Sequence, residues 1–480
     1  MPPRQHYNFT LGILTLAGLA FAFQQTMVFP ALPALQRELH TTTTWVTWVL
    51  TVFLLSASVL TPLLGRLGDQ YGKERLLAIS LGVFLVGCIG AAAAPNIWVL
   101  IAFRAISGAG GAVFPLSFAI IRDEFPREKV GMAIGLVSSV FGVGGGFGIV
   151  LSGVIVDHLS WRWLFIIGAV GVAGALVLVH RFVPESPIKT RAGVDVPGAL
   201  LLSGSLISLL LALTEGEAWG WTSARVLALG ATALVLLGIW SLVELRVSQP
   251  MVDMRMLAGR QVALTNFTAF ISGFAMFNAF VLIPNFVETP RELPNNLARM
   301  VDYGFGASAT EAGLYLLPSS VVLLFAGPVA GLLGRRFGSK WPLVIGLLLV
   351  AAAAASLASF HSEPWHILAA MPLLGVGVGF AFAAMATLIT EAVKPTETGV
   401  ATGMNTVART VGAVVGGQLG AALLTAYTIP GTHVPSVLGY EIAFAAGAVA
   451  AVAGAAVALL ITSPGARQPA LVPAPVETVD

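Results

Sequence analysis

Pro62-Leu-Leu-Gly65-Arg-Leu-Gly68-Asp69-Gln-Tyr-Gly72 recurs 266 residues later as Pro328-Val-Ala-Gly331-Leu-Leu-Gly334-Arg-Arg-Phe-Gly338. A second pair, Gly131-x-Ala133-x-Gly135 and Gly399-x-Ala401-x-Gly403, repeats at an offset of 268. Two repeats at nearly one offset imply a duplicated chain, with each copy of the second element opening the fifth helix of its half. Around them the composition is extreme. Of 480 residues, 57% are hydrophobic and 10% charged, against roughly 25% charged in an ordinary soluble domain. That excludes a water-soluble fold and a disordered chain, and leaves a polytopic membrane protein.

Fourteen apolar stretches are long enough to span, near 9–29, 44–64, 76–94, 97–120, 131–156, 163–182, 197–214, 224–243, 263–286, 311–333, 341–359, 364–390, 399–428 and 437–461. The fold class is therefore all-α, with fourteen transmembrane helices. The repeat divides them into two pseudo-symmetric six-helix bundles with two inserted helices between. The expected limits are 1–190 for the first bundle, 191–260 for inserted spans 7 and 8 with their linkers, 261–462 for the second bundle, and 463–480 for a disordered cytoplasmic tail. The first apolar run is too long for a signal-peptide core and reads as a retained helix. If both termini are cytoplasmic, eighteen of the 25 basic residues fall inside and five outside, with Arg104 and Arg409 within spans. This predicts a multi-pass membrane protein with both termini cytoplasmic, and the alanine- and glycine-rich helices suggest a bacterial inner (cell) membrane.

The arrangement of six, two and six spans is that of a secondary transporter with its site near the midplane. No G-x-x-x-x-G-K-[S/T] occurs, so ATP hydrolysis is not expected, and a gradient must drive transport. No H-E-x-x-H or Cys/His cluster is present. The expectation is no catalytic constellation, no metal and no cofactor. A net charge of +2 gives no footprint for nucleic acid.

Several residues stand out. The segment from Gly65 to Arg75, read as the loop between spans 2 and 3, sets Asp69 among Arg66, Lys73 and Arg75. Such a cluster can hold a helix N-terminus in one conformation and release it in another. Arg104 is a charge inside span 4. It requires either a cavity or hydrogen bonds to carbonyls or to Gln24 and Gln25. Gly144, Gly148 and Ser152 at four-residue spacing, with Gly153, form a close-packing face on span 5. Asn405 and Arg409 share a face of span 13. Phe267, Phe270, Phe274 and Phe277 form a stripe on span 9 beside Asn278, suited to a lipophilic substrate or to lipid contact. Glu311, Asp157 and Glu391 lie at span ends as candidate proton carriers or plain caps.

Together these motifs resemble the major facilitator superfamily, and within it the fourteen-helix drug:proton antiporter branch. Gly65-x-Leu67-x-Asp69-x-x-Gly72-Lys73-x-Arg75, Arg104 with Gly108, and glycine-rich span 5 resemble its general motifs. Trp161-Arg162-Trp163-x-Phe165, Asp195-x-x-Gly198, Trp219-Gly-Trp221 and Gly403-x-Asn405-x-x-x-Arg409 resemble marks of the branch. Phe23-Gln24-Gln25-Thr26 resembles its first-helix motif with Gln24 where Asp is usual, and Gly148-Ile149 stands where Gly-Pro is usual. The resemblance implies export of lipophilic small molecules by alternating access, with protons as the candidate coupling ion. It implies a gate built from Gly65, Asp69, Gly72, Arg75 and Arg122. It also implies a cavity on spans 1, 4, 9 and 12, holding Gln24, Gln25, Thr26, Arg104 and the span 9 aromatics. The alternative is a dedicated exporter of an endogenous lipid or secondary metabolite. The long outer interval 287–310 is then a candidate contact for an extracellular or periplasmic partner.

Overall fold

The computed structural model describes residues 7–189, 193, 195–289, 303–429 and 434–462; residues 463–480 and most of the outer interval lie outside them. The regular structure in these stretches is helical, apart from an isolated bridge between Thr428 and Pro435. In a bilayer the backbone must satisfy its own hydrogen bonds, and apolar runs of this length do so as helices.

Spans 1 to 6 are Tyr7–Thr26, Thr43–Tyr71, Lys73–Ala92, Ile97–Glu124, Arg127–His158 and Arg162–Phe182. Spans 7 and 8 are Val196–Thr214 and Ala224–Glu244. Spans 9 to 14 are Arg260–Glu288, Ala309–Phe337, Lys340–Ser359, Pro364–Ala392, Thr398–Ala426 and Val437–Leu459. Thirteen helices among the described residues are long and apolar enough to cross a bilayer. The 29-residue helix Arg260–Glu288 takes the place of the remaining expected span.

Local chemistry sets several ends. Asn96 caps span 4 by accepting from Val99 N–H at 3.0 Å. Asp195 caps span 7 through Gly198 N–H at 2.9 Å. Two features depart from the expected spans. Span 4 is helical over Ile97–Ser107 and Val113–Glu124, with a 3-10 segment at Gly108–Ala112 between. Its glycines let Ser56, Ala57 and Thr61 of span 2 come against the backbone, which tightens the helix there. Residues 65–71 are also not a loop. Span 2 runs on to Tyr71, and a single residue, Gly72 at φ +124°, turns the chain into span 3. That angle suits glycine, and a side chain there would also meet the Glu185 carboxylate.

One hydrophobic core joins spans 1 to 6, and another joins spans 9 to 14. The two bundles meet along two seams, span 2 against span 13 and span 5 against span 10. Repeat elements pair crosswise there: Gly65 meets Gly399, and Gly131 meets Gly331. A Cβ on Gly65 would stand 2.5 Å from the Gly399 carbonyl oxygen. The duplication seen in the sequence is therefore the interface itself. Leu202, Leu206 and Trp240 of the inserted spans pack over the first seam, against Val59, Leu63, Val400 and Val407.

Candidate functional site

The two bundles are closed together at the end that carries both described chain ends. Tyr7 contacts Lys129 there, and Lys340 donates to the Leu459 carbonyl at 3.3 Å. The Asp69 carboxylate is fully buried and accepts from Gly399 N–H and Val400 N–H, each at 3.1 Å. These are orphan donors in the first turn of span 13, so the anion sits at the positive end of a helix. Arg122 does the converse at the C-terminus of span 12. It donates to the Val393 carbonyl at 2.6 Å, the Lys394 carbonyl at 3.2 Å and Thr398 Oγ1 at 2.6 Å. One anion and one cation of the first bundle thus hold complementary helix ends of the second.

Behind them, Lys73 is buried against Asp123 and donates to the Pro395 carbonyl at 3.2 Å. Asp123 also accepts from Ser186 Oγ at 2.5 Å. Gly72 faces Glu185, which accepts from Glu74 N–H and Arg75 N–H at 3.3 Å; Arg75 itself is exposed. Asp123, Ser186 and Glu185 escaped the sequence reading. The only signal was the cluster of charges and hydroxyls at the ends of spans 4 and 6.

Away from this seal, three cavities follow one another between the bundles. The innermost, about 10 Å³, lies between Ser138, Phe382, Asn405 and Arg409. The next, about 90 Å³, runs between spans 2 and 13 past Phe53, Ser58 and Arg409. The third, about 450 Å³, is lined by Gln25, Thr26, Ile149, Met276 and Leu323. It extends to Phe29, Asn285 and Glu288, all exposed at the far end. Phe141 of span 5 lines all three. Its ring is 5.8 Å from Phe114 of the first bundle and 5.7 Å from Phe382 of the second. The aromatic lining therefore comes from spans 1, 2, 4, 5 and 12.

The predicted residues are distributed unevenly. Gln25 and Thr26 line the large cavity. Gln24 is fully buried with its amide against Gly168, and neither amide atom has a partner among the described residues. Arg104 is buried off the three cavities; Nε donates to the Val49 carbonyl at 3.2 Å, and the guanidinium lies 4.0 Å from the Phe53 ring centroid. Thr26 Oγ1 donates to the Gly144 carbonyl at 2.6 Å, Gly148 faces Thr26, and Ser152 donates to the Met27 carbonyl. Gly153 faces Thr310 of span 10. Span 5, a single helix of 32 residues, thus has one small-residue face for span 1 and another for span 10.

Phe267 is 51% exposed, outside the cavity linings. The backbones of Phe270 and Phe274 pack against Gly412 and Gly416. The side chains of Phe277, Asn278 and Asp157 lie outside the described residues. Asn405 donates to Asn266 Oδ1 at 3.0 Å and lines the innermost cavity with Arg409. Glu311 closes a capping box with Ser308 at the start of span 10, away from the central cavities. Glu391 accepts from Ser339 Oγ at 3.4 Å.

The family pattern of the Major Facilitator Superfamily matches residues 14–259 and 265–478, a half on each side of a short gap. The chain belongs to the Major Facilitator Superfamily. It is a multi-pass membrane transporter and not an enzyme, and transporters of this superfamily carry small molecules. The chain is 27% identical over 383 residues to the tetracenomycin C resistance and export protein of Streptomyces glaucescens, a match covering 77% of this chain and 68% of that one. It is 28% identical over 400 residues to multidrug resistance protein 3 of Bacillus subtilis, covering 82% and 74%. An MFS-type transporter of Mycobacterium tuberculosis is longer: a 30% identical match covers 84% of this chain and 57% of that one. In fold, the superfamily chain resembles the human organic anion transporter MFSD10 (TETRAN), with a TM-score of 0.65 at 15% identity over 95% of this chain and 100% of that one.

Proposed function

We propose that this chain exports lipophilic small molecules by alternating access, driven by an ion gradient. The observation that carries the reading is the seal of Asp69 and Arg122 at one end, beneath a cavity of about 450 Å³ reaching the other. Such a shape is one half of a transport cycle, in which cargo leaves toward the open end. The apolar lining suits lipophilic cargo. The names of the Streptomyces and Bacillus relatives, one for resistance and export and one for multidrug resistance, support efflux.

Eighteen basic residues against five support a cytoplasmic sealed end, with both termini there, in a bacterial inner membrane. In this reading Asp69, Gly65, Gly72, Arg75 and Arg122 form the cytoplasmic gate. Gln25 and Thr26 contact cargo. The bundles are 1–190 and 261–462, joined through 191–260. The test is dye efflux from proteoliposomes carrying a pH gradient, a sodium gradient or neither. We expect efflux that requires one gradient; no movement under any of them would overturn the reading.

A second reading is a dedicated exporter of one endogenous lipid or secondary metabolite, with coupling that bypasses span 1. Gln24, buried and uncharged where the related branch carries Asp, favours it. Residues 287–310 would then contact an outside partner. Unchanged export and partner binding after deletion of residues 290–303 would reject that contact.

A further inference from the structure

Within that export reading, we propose that Arg409 is the recognition group for an anionic head, so that the preferred cargo is an aromatic amphiphile bearing a carboxylate. Arg409 lines both the innermost and the middle cavity. Its guanidinium lies 4.3 Å from the Phe382 ring centroid and 5.7 Å from that of Phe141. It makes no hydrogen bond or ion pair among the described residues.

A guanidinium drawn out of water without a counter-charge is unfavourable, and stacking on two rings leaves its edge N–H groups free to form a fork. No acid among the described residues lines these two cavities. The acid in the lining of the large cavity is Glu288, at its far mouth. Each of these two cavities also has a serine in its lining. The Ser138 hydroxyl, of the innermost cavity, and the Ser58 hydroxyl, of the middle one, are both buried with no partner among the described residues. A forked cation with two free hydroxyls beside it is complementary to a carboxylate.

The space around this head group fits the rest of such a molecule. The middle and large cavities share Gln25, Phe141 and Met276, so a body lying in the 450 Å³ space reaches Arg409 past the Phe141 ring. Arg104, by contrast, is held to the Val49 carbonyl behind Phe53 and does not line this route.

Three matched probes test the assignment on the purified full chain: pyrenebutyrate, its methyl ester and the corresponding butyl-trimethylammonium. Binding is measured by calorimetry and movement in proteoliposomes. We expect pyrenebutyrate to bind at least tenfold more tightly than either partner. In Arg409→Gln the carboxylate-to-ester ratio falls to about one, and Arg409→Lys restores part of it. Equal or tighter binding of the ester or the ammonium by the native chain would overturn the assignment; movement of any probe would still leave export standing. An undiminished ratio in Arg409→Gln, or no binding of any probe, would also overturn it. Arg409-dependent binding with no movement of any probe under a gradient would instead reject export and leave the anion site intact.

Discussion

The carboxylate of Asp69 and the backbone N–H of Gly399 lie 330 residues apart in the chain and 3.1 Å apart in space. The contact carries a charge onto the end of a helix that belongs to the other bundle. It can exist only while the two bundles are closed at that end. Its strength therefore sets the balance between the sealed and the open forms.

Asp69→Asn keeps an acceptor and removes the charge. Charge-assisted hydrogen bonds contribute about 1.5–3 kcal/mol, and 1.4 kcal/mol is about tenfold in an equilibrium. The sealed population should fall about tenfold or more. A cysteine placed at the buried position Thr402, in a Cys88→Ser background, should then react faster with an impermeant thiol reagent applied from the Asp69 end. An unchanged labelling rate would show that the seal does not depend on this charge.

Gly65→Ala would set a methyl group 2.5 Å from the Gly399 carbonyl oxygen, a distance that requires the seam to part. Transport should drop by about an order of magnitude or more while folded protein is still produced. Gly82→Ala is the matched control, because a Cβ there meets nothing within 4 Å. Similar transport rates for the two variants would contradict the idea of a closely fitted seam.

Phe141→Ala removes ring contacts to Phe114 and Phe382 and joins the three cavities. Each ring pair contributes about 0.5–1.5 kcal/mol beyond its buried area. Affinity for an aromatic substrate should weaken by about fivefold or more in equilibrium binding. Phe267→Ala, at a position 51% exposed, should leave both affinity and transport rate unchanged.

Gln24→Asp would introduce an ionisable group at a fully buried position against Gly168. Burial disfavours the charged carboxylate, so the variant should take up a proton that the native side chain cannot. Transport by Gln24→Asp should respond more steeply to an imposed pH gradient than transport by the native chain. Parallel pH profiles would show that coupling does not pass through this site.

Much of the architecture was legible because its physical cause is local. Apolar runs long enough to cross a bilayer declare themselves, and small residues at fixed spacing mark where helices touch. Gly65, Gly131, Gly331 and Gly399 of the two repeats do lie at the seams, yet their crosswise pairing, Gly65 with Gly399 and Gly131 with Gly331, is a property of the assembled bundles. The cavity wall was harder to read. Four phenylalanines on span 9 form a visible stripe, but a stripe does not say which way its helix is turned, and Phe267 faces outward. Phe141, one aromatic in a glycine-rich run, is central because of what surrounds it. The charges behind the seal, Lys73 with Asp123, were likewise hidden by a separation of 50 residues.

The two seams also differ in chemistry. Where the first repeat has Asp69, the second has Arg335, so only the seam between spans 2 and 13 carries this anion–helix contact. The seam between spans 5 and 10 is a run of close small-residue contacts from Gly131 to Gly153. One edge is thus held by a charge and the other by close backbone contact. Spans 7 and 8 lie across the charge-held edge like a shutter. Leu202, Leu206 and Trp240 pack against Val59, Leu63, Val400 and Val407 there, so the flank that carries the anion–helix contact is roofed by the inserted pair, and the other seam has no such cover from it.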